Sequence, residues 1–237
     1  MLKAKIKMSD LVYVMMPGGS YPVAAKDLYQ KMLNFWLLEW KKVFQEIDPS
    51  YEINISDFEN QSRVTAILYH DQVVAMQTLS DYNLNDVFVS PYFKPYTIGF
   101  VQELVAQNIK NFQTMQYFIV SEEWGVRQTG INLAAIILGL SFRQQSYFNF
   151  DGTITLARKD VASASTARKY NMLQYDCDIK MHNVPVGQLL CKKPIPYPNE
   201  TVELFVEDLW DRKINFCKTK PIKPVREEIY EQSRNGI

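Results

Sequence analysis

Between residues 24 and 46, Leu28, Met32, Trp36, Leu37, Trp40, Val43 and Phe44 recur at spacings of three and four. That period turns one apolar stripe inward and predicts a long amphipathic helix. Ahead of it, LVYVMM at 11–16 reads as a strand closed by the turn sequence PGGSYP. Behind it, RVTAILY at 63–69 and VVAMQTL at 73–79 are short runs suited to a pleated surface. They are joined by His70, Asp71 and Gln72, so they predict an antiparallel hairpin.

The stretch 80–98 is rich in turn formers and aromatics, and a second helix is expected from Gly99 to Asn111 with Phe100, Leu104, Val105 and Ile109 inward. An apolar strand, MQYFIVS at 115–121, then runs through EEWGVRQTGI into NLAAIILGLSFRQQ, which is apolar on nearly every side and is read as a buried helix. TITLAR at 153–158 alternates as a strand does, Val161–Met172 reads as a helix, and CDIKMHN with VGQLLCK reads as a second hairpin around Val184-Pro185. Prolines 194, 196 and 198 in KKPIPYPNE break regular structure. One amphipathic helix, roughly Val202 to Phe216, follows, and then a tail that is only partly patterned. The expected organisation is one α/β (α+β) domain over 1–193 and a C-terminal extension over 194–237.

Composition narrows the function classes. With 47% hydrophobic residues and 13% aromatics in 237 residues, the chain supplies a sizeable core. Its 26 basic and 26 acidic residues cancel without long runs of either sign, which argues against nucleic acid as a partner. Cys177, Cys191 and Cys217 are widely spaced, fitting free thiols and a cytoplasmic setting, with Cys177 and Cys191 read as buried. No apolar run approaches a membrane span, and MLKAKIKMSD lacks the uninterrupted apolar core of a signal peptide. His70 and His182 stand in turns without neighbouring ligand types, so both are read as surface histidines and no metal is expected.

The chemistry concentrates between Val120 and Leu140. A strand that passes through a loop straight into a helix leaves the first helical amides unpaired, and with the positive end of the helix dipole they form an anion site that suits a pyrophosphate. Gly130 permits close backbone approach, and Arg127 adds a fixed positive charge. Arg127, Gln128, Thr129, Gly130, Ile131 and Asn132 resemble the Gln/Arg-x-x-Gly-x-Gly/Ala motif of the GNAT superfamily of N-acyltransferases, with Asn132 in place of the small residue. Either a slightly wider loop or an unusual backbone angle at Asn132 would accommodate that change. Gly125 and Val126 also intervene where many members carry an aromatic. SASTARKYNMLQY at 163–175 resembles the family's fourth-helix pattern at Tyr170, Leu173 and Tyr175 but departs from it at Ser163, Thr166 and Gln174. EEWGVRQTG and LAAIILGLSFR look like the N-acyl amino acid synthase and acyl-homoserine lactone synthase side of the superfamily.

The resemblance covers about residues 24–193. It implies a mixed, mostly antiparallel central sheet flanked by helices, with coenzyme A or its acyl thioester as co-substrate. Val120, Val126 and the residues from Arg127 to Asn132 would bind it. A small-molecule amine would attack the thioester directly, with an acyl-carrier protein as the other donor that fits. Glu122 and Glu123, at the strand end, are the candidate bases, and Tyr170 matches the family's usual acid. The plainer readings stay open: solvated glutamates, a core tyrosine, and core packing for Trp36, Trp40, Phe44, Tyr92, Phe93 and Tyr96. Two other functions also stay open, a catalytically silent GNAT-like module binding an acyl thioester or a partner protein, and an unrelated α/β domain binding a nucleotide or phosphate at the same helix start.

Overall fold

A computed structural model describes residues 6–192 and 197–217, except the side chains of Asp176 and Cys177. The tail beyond 217, Pro194 and Pro196 of the expected break, and the expected burial of Cys177 therefore lie outside the described residues. In chain order the elements are β1 (Leu11–Met16), α1 (Lys26–Ile47), α2 (Ser56–Glu59), β2 (Arg63–Tyr69), β3 (Gln72–Asn83), α3 (Asp86–Val89), α4 (Ile98–Ala106) and β4 (Asn111–Val120). There follow α5 (Val126–Thr129), α6 (Leu133–Tyr147), β5 (Gly152–Arg158), α7 (Ser163–Lys169), β6 (Leu173–Met181), β7 (Val184–Cys191), α8 (Glu200–Asp211) and β8 (Ile214–Asn215).

The strands form one sheet in the order β6-β7-β5-β4-β3-β2-β1-β8. Every neighbouring pair is antiparallel except β4 with β5 and β1 with β8. Alternation along β1 shows how the sheet is covered. Tyr13 and Met15 join a core with α6 and α8, whereas Val14 and Met16 join a second core with Met32 and Trp36 of α1. The sheet is thus a middle layer with α1 on one face and α6 and α8 on the other.

The buried helix α6 is not held by apolar contact alone. Gln144 donates to the Tyr13 hydroxyl at 2.7 Å and accepts from Arg63 Nε at 3.0 Å. Gln113 accepts from Arg63 at 3.0 Å and donates to the Ser141 carbonyl at 2.8 Å. Arg63 is almost fully buried, and its charge is balanced by Asp81 at 2.7 Å. This network satisfies buried polar groups that would otherwise be costly, and it accounts for Gln144 in a helix so apolar.

Several boundaries differ from the sequence reading. The second helix stops at Ala106 rather than Asn111, because Asn108 turns left-handed (φ 55°) and the Ile109 amide closes back on the Leu104 carbonyl. The second hairpin turns at His182-Asn183, not at Val184-Pro185; both residues have positive φ (47° and 65°), as a two-residue primed turn requires. The fourth-helix segment is helical only from Ser163 to Lys169. The C-terminal helix ends at Asp211, and Ile214 and Asn215 pair parallel with Val14 and Met15, so this segment completes the sheet.

Candidate active site

Adjacent strands β4 and β5 stay paired only over Phe112–Gly152, Gln113–Thr153 and Thr114–Ile154. Beyond that point each remains bound to its outer neighbour, β4 to β3 as far as Val120 and β5 to β7 as far as Arg158. The two therefore diverge into a V. At its apex the Thr155 hydroxyl donates to the Met115 carbonyl at 2.8 Å.

The divergence has a local cause in β4. Between the pairs Thr78–Gln116 and Met76–Ile119, one residue of β3 faces two of β4, Tyr117 and Phe118, and Tyr117 takes a left-handed φ of 48°. Such a bulge bends its strand and raises its twist. An aromatic side chain in that region is strained, so the surrounding packing must hold it there. Trp36 and Trp40 do so, each meeting the Tyr117 ring edge-on at 5.2 Å between centroids.

The V opens a cleft of about 440 Å³ that passes through the sheet. Its walls are β4 from Met115 to Val120 and β5 from Thr155 to Arg158. Trp40, Val43 and Glu46 of α1 border one side, and Ala134 and Leu138 of α6 with Thr166 and Ala167 of α7 border the other. Most of this surface is apolar. Its ionisable side chains are Glu46, Tyr117 and Arg158, and Arg158 is engaged by Asp160 at 2.8 Å.

Beside the cleft lies the loop singled out from sequence. Val126–Thr129 form a single helical turn rather than an open loop, and Gly130 ends it in a left-handed conformation (φ 73°) with no atom within 4 Å of a virtual Cβ. Glycine is needed there for its backbone, not for lack of room. Asn132 has φ −87° and ψ 77°, outside both the helical and the extended regions, and its side chain caps α6 by accepting from the Ala135 amide at 3.0 Å. Thr129 Oγ1 likewise accepts from the Ile131 amide at 3.2 Å. Among the described residues, the amides of Asn132 and Ala134 carry no hydrogen bond, and Ala134 lines the cleft. The anion site expected at this helix start is therefore narrower than six residues.

Of the other candidates, Val120 lines the cleft, while Val126, Arg127 and Gln128 stand exposed on the loop outside it. Glu122 and Glu123 are exposed in a turn beyond β4 and are not part of the cleft wall. Tyr170 is fully buried, also outside the cleft wall, and donates to the Ala135 carbonyl at 2.7 Å. Burial raises its phenol well above the ordinary range. Trp40 borders the cleft, but Trp36 and Phe44 are buried beside it, and Tyr92, Phe93 and Tyr96 belong to a separate core against α4.

Sequence reasoning missed an assembly on the α1 side. His70 is exposed as expected, whereas His182 packs edge-on against Phe44 and Tyr51, with centroids 4.7 and 4.4 Å away. Its Nδ1 lies 3.3 Å from Asp48 Oδ2. The Ser50 hydroxyl, and then His182, hold the Asp48 carboxyl below the usual carboxylate range. Tyr51 in turn donates to Asp57 at 2.9 Å. Nothing in the linear sequence marks these residues as neighbours. Cys191 is buried as expected, and Cys217 is half-buried. No helix among the described residues is long and apolar enough to cross a membrane, and no three metal-binding side chains cluster among them.

No protein-family model matches the chain, and no curated protein does. Solved structures match in fold. MesI, a CoA-dependent acyl-homoserine lactone synthase, superposes with a TM-score of 0.51 at 11% identity over 82% of this chain and 95% of its own. The CoA-dependent acyl-homoserine lactone synthase BjaI gives 0.50 at 9% identity, over 94% and 99%. An agmatine N-acetyltransferase variant gives 0.50 at 10% identity, over 77% and 99%. The chain therefore has the GNAT fold: a mixed, mostly antiparallel sheet flanked by helices, with β4 and β5 splayed.

Proposed function

We propose that the protein is an N-acyltransferase that moves an acyl group from acyl-CoA, or from an acyl-carrier protein, to a small-molecule amine. The observation that carries this reading is the cleft between β4 and β5, which opens to both faces of the sheet. An extended thioester arm laid along the free edge of β4 would complete ladder hydrogen bonds that β5 leaves open. Its phosphates would reach the amides of Asn132 and Ala134 at the positive end of α6, with Arg127 outside. The solved acyl-homoserine lactone synthases of this fold are described as CoA-dependent.

On this reading the two reactants come from opposite faces. The thioester lies against α6, and the amine enters between α1 and β4. Direct attack needs a neutral amine nitrogen, and it expels a thiolate whose ordinary pKa is near ~8.5. Apolar walls exclude water that would hydrolyse the thioester, while fixed dipoles stabilise the charge that develops. Tyr170 acts at a distance here, as a buried post beneath the first turn of α6.

The test is free-thiol release when purified full-length protein is incubated with acetyl- and long-chain acyl-CoA and a broad amine panel. Amine-dependent release supports the proposal. No release, together with no CoA binding, ends it. A second reading is a silent module that binds the thioester without turnover, and it is favoured by the Thr129 and Asn132 side chains, which already occupy the Ile131 amide of the loop and the Ala135 amide of α6. It predicts CoA binding with no thiol release.

A further inference from the structure

The two walls of the cleft belong to different halves of the sheet. β4 goes with β3 and α1, whereas β5 goes with β7 and β6. Three residue pairs join the halves at the closed end of the V. At its open end, on the α1 face, they are joined by His182. The arm that carries this histidine is the outer part of the β6–β7 hairpin, where Ile179, Lys180 and Met181 pair with Val186, Pro185 and Val184. Its base is fixed to β5, since Arg158 pairs with Val186 and the Lys159 amide donates to the Pro185 carbonyl at 2.9 Å. Its tip reaches α1, where His182 packs on Phe44 and Tyr51 with Nδ1 3.3 Å from Asp48 Oδ2. Phe44 stands between Val43 and Glu46, which line the cleft, and Arg158 at the base of the arm lines it too. The arm therefore spans the mouth of the cleft from the β5 wall to the α1 wall.

The sequence equips this tip for docking. Both turn residues hold positive φ, and histidine tolerates that region better than most side chains. Its ring also serves both contacts, presenting apolar edges to Phe44 and Tyr51 and a nitrogen to a carboxylate. Asp48 caps the C-terminal end of α1 and accepts from the Ser50 hydroxyl at 2.7 Å, which holds its carboxylate in place. Below the arm the β6–β7 ladder is interrupted between Tyr175 and Ile179, so the tip owes its position to α1 as well as to the sheet.

Resting on the acyltransferase reading, we infer that this arm is a strap across the entrance for the amine. His182 and Asp48 are positioning residues: by holding the arm to α1 they fix the width of the mouth between Arg158 and Glu46, and with it the bulk of the amine that reaches the thioester. Neither touches a reacting atom. The thioester side does not depend on them, because α6 borders it and packs on β3, β4 and β5 from the opposite face.

The experiment uses the full chain, one acyl-CoA and a series of primary amines of increasing bulk. His182→Ala, His182→Phe and Asp48→Ala are assayed beside the parent, with acyl-CoA affinity, thermal unfolding and acrylamide quenching of tryptophan fluorescence. Trp40 is the half-buried member of the four tryptophans, borders the cleft and lies 5.6 Å from Phe44, so it reports the width of the mouth without turnover. In His182→Ala the ratio of kcat/KM for bulky over small amines should rise by about tenfold, while acyl-CoA affinity stays within about twofold. Quenching should increase, and a Trp40→Phe background should remove the increase. His182→Phe, which keeps a ring but not the nitrogen, should fall between the parent and His182→Ala. Combining His182→Ala with Asp48→Ala should go no further than His182→Ala alone, because both changes free the same contact. An unchanged amine preference with unchanged quenching overturns the strap, as does a loss of acyl-CoA affinity as large as the effect on the amine. Should His182→Ala fail to fold, His182→Phe carries the same test. Absence of thiol release from the parent with every amine ends the acyltransferase reading, and quenching alone then decides whether the arm closes the mouth.

Discussion

Gly139 lies in the middle of α6, where alanine would ordinarily be preferred by about 1 kcal/mol. Here a Cβ would stand 2.7 Å from the Tyr170 hydroxyl and 2.7 Å from Val206 Cγ2, with Tyr197 Cε1 at 3.3 Å. Tyr170 and Val206 are both fully buried, so neither moves aside freely. Forcing the methyl in costs about 2 kcal/mol as overpacking, and displacing the Tyr170 hydroxyl from the Ala135 carbonyl costs about 1 kcal/mol more. Set against the helix-propensity gain, Gly139→Ala should lose about 2 kcal/mol, or about 4–8 °C of Tm for a chain of this size. Calorimetry and urea unfolding measure it. In a Tyr170→Phe background one of the two close contacts disappears, so the cost should fall by about 1 kcal/mol. A Gly139→Ala protein as stable as the parent, or a cost unchanged by Tyr170→Phe, would refute the placement of the Tyr170 hydroxyl against α6.

Other consequences follow from the same geometry. Since its hydroxyl is turned to α6, Tyr170→Phe should keep thioester turnover within about threefold, and a hundredfold loss in kcat would restore it as the acid. Asn132→Ala should cost about 1 kcal/mol of stability through the lost cap but leave CoA affinity equal or tighter by titration calorimetry, because the Ala135 amide is released. Arg127→Ala should weaken CoA binding and flatten its salt dependence, as expected when an exposed charge meets a phosphate. Burial pushes the Cys217 thiol up to about 11, so its alkylation, followed by peptide mass spectrometry, should be slow at pH 8 and accelerate as pH rises toward 11. A raised folded pKa contributes stability that is complete below the unfolded value of 9.0 and lost as pH climbs through that window, so urea midpoints should fall there.

The frame was legible because period and punctuation agree in most of the chain. The α1 stripe, the β2–β3 hairpin and the strand-loop-helix run through Val120 and Leu133 each repeat one signal several times. The misses have physical causes. Tyr117 belongs to a residue type that favours strands, so a bulge at that position leaves no mark in the pattern. His182-Asn183 turns the chain without glycine, and the Val184-Pro185 pair beside it carries the stronger turn signal. Ile214-Asn215 is two residues long and becomes a strand only because β1 offers a free edge. At the site, the arginine and glycine of the loop were visible, but Thr129 and Asn132 as internal caps depend on side-chain direction, which spacing does not encode. His182 meets Phe44, Asp48 and Tyr51 only through tertiary packing between distant parts of the chain.

A crystal structure of the full chain with a non-hydrolysable acyl-CoA analogue tests the central claim most directly. The account predicts the pantetheine arm between β4 and β5 along Met115–Val120 and the pyrophosphate at the amides of Asn132 and Ala134. An analogue bound elsewhere, or a cleft that stays closed to it at saturating concentration, would contradict it.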